Sequence, residues 1–502
     1  MEKIEQPDKM VNQEKNKLEI FCEKYFHVIF WSILAIASII WFSLSFHKQL
    51  WLDEVYTLQL VKYNFYSIWQ RTALDVHPPL YYFLLKIFLL PFKNAQLGGR
   101  LFSVIPFLLI AILGGLKIKK FFGVKYSLLF IISFCFFPGT LKYSVDIRMY
   151  SLSAAFVFFC GLYAYEAYQD NTLRGWITFT AMGICAAYTH YFAFVSIIIV
   201  HLILIIALLC NKGKRKLWWK WLVCVAASIL LYSPWAANFI GQLSTKVTEE
   251  YWIPPITIKT IYSYFKELFG GNIFYSITYL SIIIIGCIYT FITNSKTKKL
   301  VAFLSLGCLL GTIMLGVIAS LIIRPVFIIR YAIPCVPILC VFLALTTGEI
   351  KNNIVKLLCV FAMLGVFIPC SIGTFQTSYS SNDDFITEKT IELIEDCECI
   401  AIDFTDNNDF NNTDSDLMFA LFISYYNPDV KTYIKNAPNN LIFDNVLQLD
   451  NFDANNYSKI CLIIPEGDDI PNKYLSKYDI CRNGKYFISG QYVDFYVLVS
   501  QN

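Results

Sequence analysis

WLDEVYTLQLVKYNFYSIWQRTALDVHPP, residues 51–79, follows directly on the first long apolar run of the chain. It holds an Asp-Glu pair (Asp53, Glu54), a second aspartate (Asp75), a histidine (His77) and a Pro-Pro. Aromatic residues are scattered through it (Trp51, Tyr56, Tyr63, Phe65, Tyr66, Trp69), as in segments that lie at a membrane–water boundary. Carboxylates this close to a bilayer are costly to keep without a reason. The plain alternative is a solvated loop between two spans.

Composition supports the membrane setting. Of 502 residues, 57% are hydrophobic and only 16% charged, whereas soluble proteins carry about a quarter charged residues. The expected fold is therefore a polytopic α-helical membrane protein. The first apolar run, residues 26–46, is long enough to span and lacks the small-residue cleavage site of a signal peptide. Charge is divided unevenly. From Thr374 onward there are 21 acidic and 8 basic residues, while the rest of the chain is net basic. Two regions with different solvents are implied. The 16 cysteines fall mostly inside apolar runs, where they act as small hydrophobes, and no zinc spacing is present. Abundant Ile, Lys and Asn suggest a bacterial source.

Orientation follows from the basic clusters at 117–125, 212–220, 296–299 and 351–356. The run at 79–92 is too short to cross a core of about 30 Å as a helix. If it lies along the outer interface, all four clusters face the cytoplasm, as the positive-inside rule prefers. The expected organisation is a cytoplasmic tail (1–25), a transmembrane domain (26–373) of about eleven spans with its first outer loop and interfacial helices at 47–97, and an extracytoplasmic tail (374–502). The expected spans are 26–46, 98–117, 126–143, 149–168, 175–189, 192–210, 217–238, 273–293, 300–323, 331–348 and 355–373. Polar outliers then collect on the outer face: Asp53, Glu54, Asp75, His77, Arg100, Asp146, Arg148, His190, Tyr191, Glu249, Glu250, Arg324 and Arg330. The inner loops carry little but Lys and Arg. This segregation points to a binding or reaction site outside.

The tail alternates short apolar runs at 399–404, 460–464, 486–488 and 492–500 with Asn, Asp, Pro and Gly, a pattern of strands and turns. Residues 417–426 read as a helix capped by Asp414 or Ser415. A small α/β domain is expected, in which Cys397, Cys399, Cys461 and Cys481 could pair.

The ordered set LDE, HPPLYY, GGRLFS, DIRMYSL, YTHYF, SPW and RYAIP, spread over residues 26–345, resembles the GT-C glycosyltransferases. The likeness is to bacterial relatives of protein O-mannosyltransferases and of lipid A aminoarabinose transferase. It implies a bacterial plasma-membrane enzyme with its active site facing outside. It also implies a polyprenyl-phosphate-linked sugar donor, a lipid, glycan or protein acceptor, no nucleic acid, and inversion at the anomeric carbon. The resemblance puts the catalytic base at the first acid of the Asp-Glu pair, Asp53. This chain has Asp75-Val76-His77-Pro78-Pro79 where the family often has a second acid or a Lys-Pro-Pro.

Such a reaction expels a phosphate that needs no protonation, so it calls for one base and a positive clamp. Asp53 is the candidate base, with Glu54 orienting the acceptor or fixing the loop. Arg148 and Arg330 are the candidate donor-phosphate ligands, with Arg100 and Arg324 behind them, because guanidinium binds phosphate bidentately. His77, Asp75, Asp146, His190, Tyr191, Glu249 and Glu250 are candidate substrate contacts. Structural alternatives stand beside each. Asp53 could cap a helix beginning near Val55. Arg100 and Arg324 could snorkel at span ends. Arg148 could pair with Asp146, His190 could be an interfacial packing residue, and His77 could order the Pro-Pro turn. No firm cofactor is implied, although Asp53, Glu54 and His77 could together hold a divalent metal. The competing functional class is a transporter or flippase for a lipid-linked or anionic glycan, but no internal repeat of the kind such proteins carry is evident.

Overall fold

The computed structural model describes residues 17–47, 50–245, 253–292, 296–380, 394, 396–404, 420–421, 423–425, 429–435, 445–488 and 491–501. Helix α1 (Lys17–Lys24) leads into α2 (Phe26–His47), an uncharged stretch apart from its terminal histidines. Three short helices follow: α3 (Leu52–Leu60), α4 (Phe65–Leu74) and α5 (Leu80–Leu89). Asn64 starts α4 by accepting the Ser67 N–H at 2.9 Å. At 1.5 Å per residue α5 is about 15 Å long, half a hydrocarbon core.

The larger helices come next. Helix α6 (Ala95–Leu109) continues through a π-turn at Ile110–Gly114 into α7 (Gly115–Phe122). Then come α8 (Val124–Cys135), α9 (Pro138–Ser144), α10 (Tyr150–Asp170), α11 (Leu173–Ala187), α12 (Tyr191–Cys210), α13 (Trp218–Thr245), α14 (Ile258–Leu268), α15 (Ile273–Ile292), α16 (Lys296–Ile322), α17 (Val336–Gly348) and α18 (Asn353–Ser380). Helix α17 is buried along its whole length, enclosed by α8, α10, α15 and α16.

Among the described residues, eight helices are long and apolar enough to cross a membrane, or nine if α8 and α9 count as one span. The molecule is thus a multi-pass helical membrane protein, with fewer clear spans than the sequence led us to expect. Each shortfall has a local cause. The 126–143 segment bends by 59° where Pro138, which has no N–H to donate, restarts the helix at its first position. The apolar character of α10 is diluted by Ser, Tyr, Glu166, Gln169 and Asp170. Helix α11 has 15 residues, about 22 Å, short of a hydrocarbon core.

Among the described residues, the tail forms a six-stranded sheet in the order β3-β2-β1-β4-β6-β5. Its strands are β1 (Cys399–Ile402), β2 (Lys431–Ile434), β3 (Val446–Gln448), β4 (Lys459–Pro465), β5 (Tyr478–Ile488) and β6 (Gln491–Ser500). The four strands β3-β2-β1-β4 are parallel, and β6 and β5 add as an antiparallel pair. Strands β2 and β3 fall outside the runs read from the sequence: β2, as short as β1, opens on Lys431 and Thr432 where β1 is uniformly apolar, and three residues of β3 are too few to display a period of two. Of the helix expected at 417–426, residues 420–421 and 423–425 are helical, and the rest, with Asp414 and Ser415, lies outside the described residues. Cys397, Cys399, Cys461 and Cys481 are unbridged.

The sheet is not a separate body. Ile400, Ile402, Cys461, Ile463, Val493 and Phe495 on one face share a hydrophobic cluster with Val55 and Leu58 of α3, Ile68 of α4 and Tyr81 and Leu85 of α5. Gln59 Nε2 donates to the Ser424 carbonyl at 3.0 Å, and the Lys62 ammonium lies 5.1 Å from the Tyr425 ring. The opposite face packs its own cluster around Tyr433, Leu462 and Tyr474. The sheet therefore sits on α3–α5, the same helices that carry the Asp-Glu pair.

Candidate active site

Helix α3 begins at Leu52, with Trp51 in extended conformation before it. The Trp51 N–H is capped by the Glu54 carboxylate at 3.2 Å, so Asp53 is not the cap. The two acids of the pair point to different environments. Glu54 and Arg100 have side-chain exposures of 0%. Arg100 Nη2 donates to Glu54 Oε2 at 2.8 Å, Arg100 Nη1 donates to Oε1, and the Ile147 N–H donates to Oε1 at 2.7 Å. Arg100 also donates to the Val145 carbonyl at 2.6 Å. This clasp ties α3 to α6 and to the loop before α10. Gly99 permits it, since a Cβ there would lie 2.8 Å from the Ile147 side chain. The structure thus places Glu54 and Arg100, expected as a catalytic acid and a phosphate ligand, together in the wall beneath the site, where burial closes them to substrate.

Asp53, one residue earlier, faces the other way and is 25% exposed. Its Oδ2 lies 3.7 Å from Arg148 Nη2 and 3.6 Å from Arg330 Nη2. Arg148 reaches it from the loop before α10, and Arg330 from the 3-10 turn Ile329–Cys335 that leads into α17. Arg148 is nearly fully buried. Its Nη1 donates to the Asp53 carbonyl and to the Thr57 hydroxyl, each at 3.2 Å. The Arg330 guanidinium lies 5.4 Å from the Trp51 ring centroid and 5.8 Å from that of Tyr331, within cation–π range. Trp51 is itself held by a 2.8 Å bond from its indole N–H to Asp146 Oδ1. Asp146 is therefore a support for Trp51 and not the partner of Arg148.

His77 stands 3.5 Å from Arg148 Nη2 through Nε2 and 3.4 Å from Asp75 Oδ2 through Nδ1. Arg148 can only donate, so Nε2 is the acceptor and the proton sits on Nδ1, facing Asp75. Burial lowers the His77 pKa, partly countered by its hydrogen bond to Asp75, and Arg148 lowers it further. The Tyr56 hydroxyl holds Asp75 at 2.9 Å. His190 caps α12 by accepting the Phe192 N–H on Nδ1 at 3.1 Å, and its ring packs on Tyr331, Tyr150 and His77. Tyr191 is bonded through its hydroxyl to Gln242 and Trp235 of α13 and lines the neighbouring cavity with Gln242. Glu249 and Glu250 lie outside the described residues. Glu54 is taken up by Arg100, so it does not converge with Asp53 and His77 on a metal position, and no metal-holding group of three such side chains occurs among the described residues.

A cavity of about 360 Å³ opens beside this cluster. His77, His190, Arg324 and Tyr331 line its polar end, and Phe194, Ile198, Phe239, Leu315 and Ile323 its apolar length. The hydroxyls of Tyr82 and Tyr150 and Nε of Arg148 are buried without a hydrogen-bond partner in the described protein. The sequence reading missed Trp51, Tyr56, Tyr82 and Tyr331 as parts of the site, although Trp51, Tyr56 and Tyr331 each stand within one to three residues of a charged residue it singled out.

No protein-family model and no curated protein matches the sequence. The fold does match solved structures. The crystal structure of ArnT from Cupriavidus metallidurans in the apo state aligns over 94% of this chain and 98% of its own, with a TM-score of 0.60 at 11% identity. The same protein bound to undecaprenyl phosphate aligns over 92% and 97%, with a TM-score of 0.61 at 10% identity. The chain has the fold of these ArnT structures. The match runs almost end to end, so it takes in the sheet at the carboxyl end as well as the helices.

Proposed function

We propose that this chain is a glycosyltransferase of a bacterial plasma membrane that moves a sugar from a polyprenyl-phosphate donor to an acceptor hydroxyl on the outer face, with inversion. The observation that carries this reading is Asp53 Oδ2 lying between the Arg148 and Arg330 guanidinium groups beside an apolar cavity. The ArnT structure bound to undecaprenyl phosphate supports a lipid phosphate as ligand of such a fold. The prenyl chain would lie along the apolar cavity, with the phosphate at its polar end near Arg148, Arg330 and Arg324.

In this reading Asp53 takes the proton of the acceptor hydroxyl. The acceptor oxygen bonds to the anomeric carbon on the face opposite the phosphate, and the carbon–oxygen bond to phosphate breaks, leaving its electron pair on the phosphate. Both arginines stabilise that departing charge. Contacts of 3.6–3.7 Å are longer than hydrogen bonds, so the Asp53 oxygens keep lone pairs for the acceptor. The donor phosphate competes with Asp53 for the same guanidinium groups, so donor binding also releases the carboxylate to act as a base. Asp146 positions Trp51, and Asp75 with His77 fixes the orientation of Arg148.

The test is Asp53→Asn in purified protein given labelled polyprenyl-phosphate sugar and extracted acceptor lipid. Asn has nearly the same shape but cannot take the proton, so transfer should fall by about 10²–10⁴-fold with the fold intact. Transfer within about threefold of wild type, against that expected loss, would remove Asp53 from the chemistry. Uptake of label into vesicles without transfer would replace the enzyme with a transporter.

A further inference from the structure

A second cavity, of about 380 Å³, lies between α10, α12, α16 and α17. It is at the far end of the bundle from Asp53. His190 begins α12 beside the candidate active site, whereas Asn211, just past its last residue, lines this second cavity. The 20 residues between them correspond to about 30 Å of helix. Its walls are apolar, built from Val200, Leu204, Leu300, Leu304 and Ile338. Its rim is polar and includes Lys214, Asn211 and Tyr168, with no carboxylate among the lining residues. Asn211 Nδ2 donates to the Tyr168 hydroxyl at 3.0 Å, and the Lys214 ammonium donates to the Gln169 carbonyl at 2.7 Å. An ammonium has three donors, so Lys214 keeps capacity for an anion. Lys212, Arg215 and Lys216 flank Lys214 in the same loop and are exposed.

An apolar slot between membrane helices with a cation at its mouth, set in a basic loop, has the chemistry of an anionic-lipid site. We propose that this cavity takes an acyl chain of an anionic glycerophospholipid, whose phosphate is held at Lys214 with Arg215 and Lys216 at the headgroup surface. The lipid would bridge α12 and α16 at the end of the bundle away from Asp53, and so brace two helices that also line the candidate donor cavity.

The test uses the full chain, delipidated in mild detergent and resupplied with phosphatidylglycerol or phosphatidylethanolamine of identical acyl chains. Retained lipid is read by native mass spectrometry and stability by thermal unfolding. Phosphatidylglycerol should be retained about fivefold better for one cation contact and should raise the unfolding temperature more than phosphatidylethanolamine. Lys214→Gln should erase the preference between the two lipids. Ala207→Phe, which fills the cavity without touching the cation, should erase retention of both. Equal retention of the two lipids by wild type would overturn the proposal, as would an Ala207→Phe protein that folds and still holds phosphatidylglycerol. Retention of added polyprenyl phosphate in place of phosphatidylglycerol, lost on Lys214→Gln, would show that the occupant is wrong.

Discussion

Replacing Glu54 by Gln separates the two acids of the pair more sharply than any change to Asp53. Glu54 Oε1 accepts from Arg100 Nη1 and the Ile147 N–H, and Oε2 accepts from Arg100 Nη2 and the Trp51 N–H. A glutamine amide has one oxygen. Whichever way it is turned, its NH₂ meets two N–H donors that held a carboxylate oxygen, and Arg100 loses its counter-charge. A buried donor left unsatisfied costs about 1–3 kcal/mol, and breaking a buried ion pair costs about 3–5 kcal/mol. With both side chains at zero exposure, the expected loss is about 3–5 kcal/mol of stability, a factor of roughly 10² to 10³ or more in the folded-to-unfolded ratio. The assay is denaturant unfolding in detergent, run beside Asp53→Asn, which should unfold near the wild-type midpoint. Arg100→Met should destabilise to a similar degree. The double variant Glu54→Leu with Arg100→Met should recover much of the loss, because replacing both members of a buried pair by apolar residues is often close to neutral. If Glu54→Gln unfolds like wild type while transfer is abolished, Glu54 takes part in the chemistry and its role in the wall has been misread.

Arg148→Lys keeps the charge but cannot span Asp53, Thr57 and His77 at once, so donor affinity should drop by roughly one to two powers of ten, the worth of one charge-assisted hydrogen bond; wild-type affinity in both Arg148→Ala and Arg330→Ala would move the phosphate elsewhere. Burial holds His77 below its ordinary pKa. Between that depressed value and about 6.5 the unfolded chain binds more protons, so stability should rise with pH in that window and be lost as pH falls through it. His190 is depressed still further by burial and Asp75, Asp53 and Arg148 face His77, so His77→Asn should flatten only the upper part of the pH dependence of the unfolding midpoint; an unchanged slope would clear His77. For orientation, Tyr66→Cys on the exposed face of α4, in a background without native cysteines, should react with an impermeant thiol reagent in intact cells, and Lys212→Cys only after permeabilisation; the reverse pattern would turn the site inward.

Much of this arrangement is legible in the sequence because membranes leave coarse marks. Long uncharged runs give α2, α12 and α16, and a run too short to cross gives α5. Asp53, Arg148 and Arg330 stand out because charge beside apolar stretches is costly and therefore rare. The sequence does not show which way a residue turns. Asp53 and Glu54 are adjacent, and only the Gly99 contact and the reach of Arg100 decide that Glu54 goes into the wall and Asp53 into the opening. Asp146 and Arg148 look like a local pair, but a two-residue separation in a loop left Asp146 facing the Trp51 indole. The bend before Pro138 and the shortness of α11 are likewise local events within segments whose average composition reads as a span. Strand β2 is hidden by Lys431 and Thr432 in a stretch of only four residues, and β3 by having only three.

The hydrophobic cluster shared by α3, α4, α5 and one face of the sheet bears on how such a protein can be taken apart or recombined. Asp53 rides on a helix whose opposite side, Val55 and Leu58, rests against the strands. Ending the chain after α18 would expose Val55, Leu58, Tyr81 and Leu85 to water and unseat the carboxylate that faces the arginines. The carboxyl-terminal sheet is therefore the floor on which α3–α5 rest and not a detachable module. A chimera that imports another protein's tail should work only if it imports the matching α3–α5 surface with it.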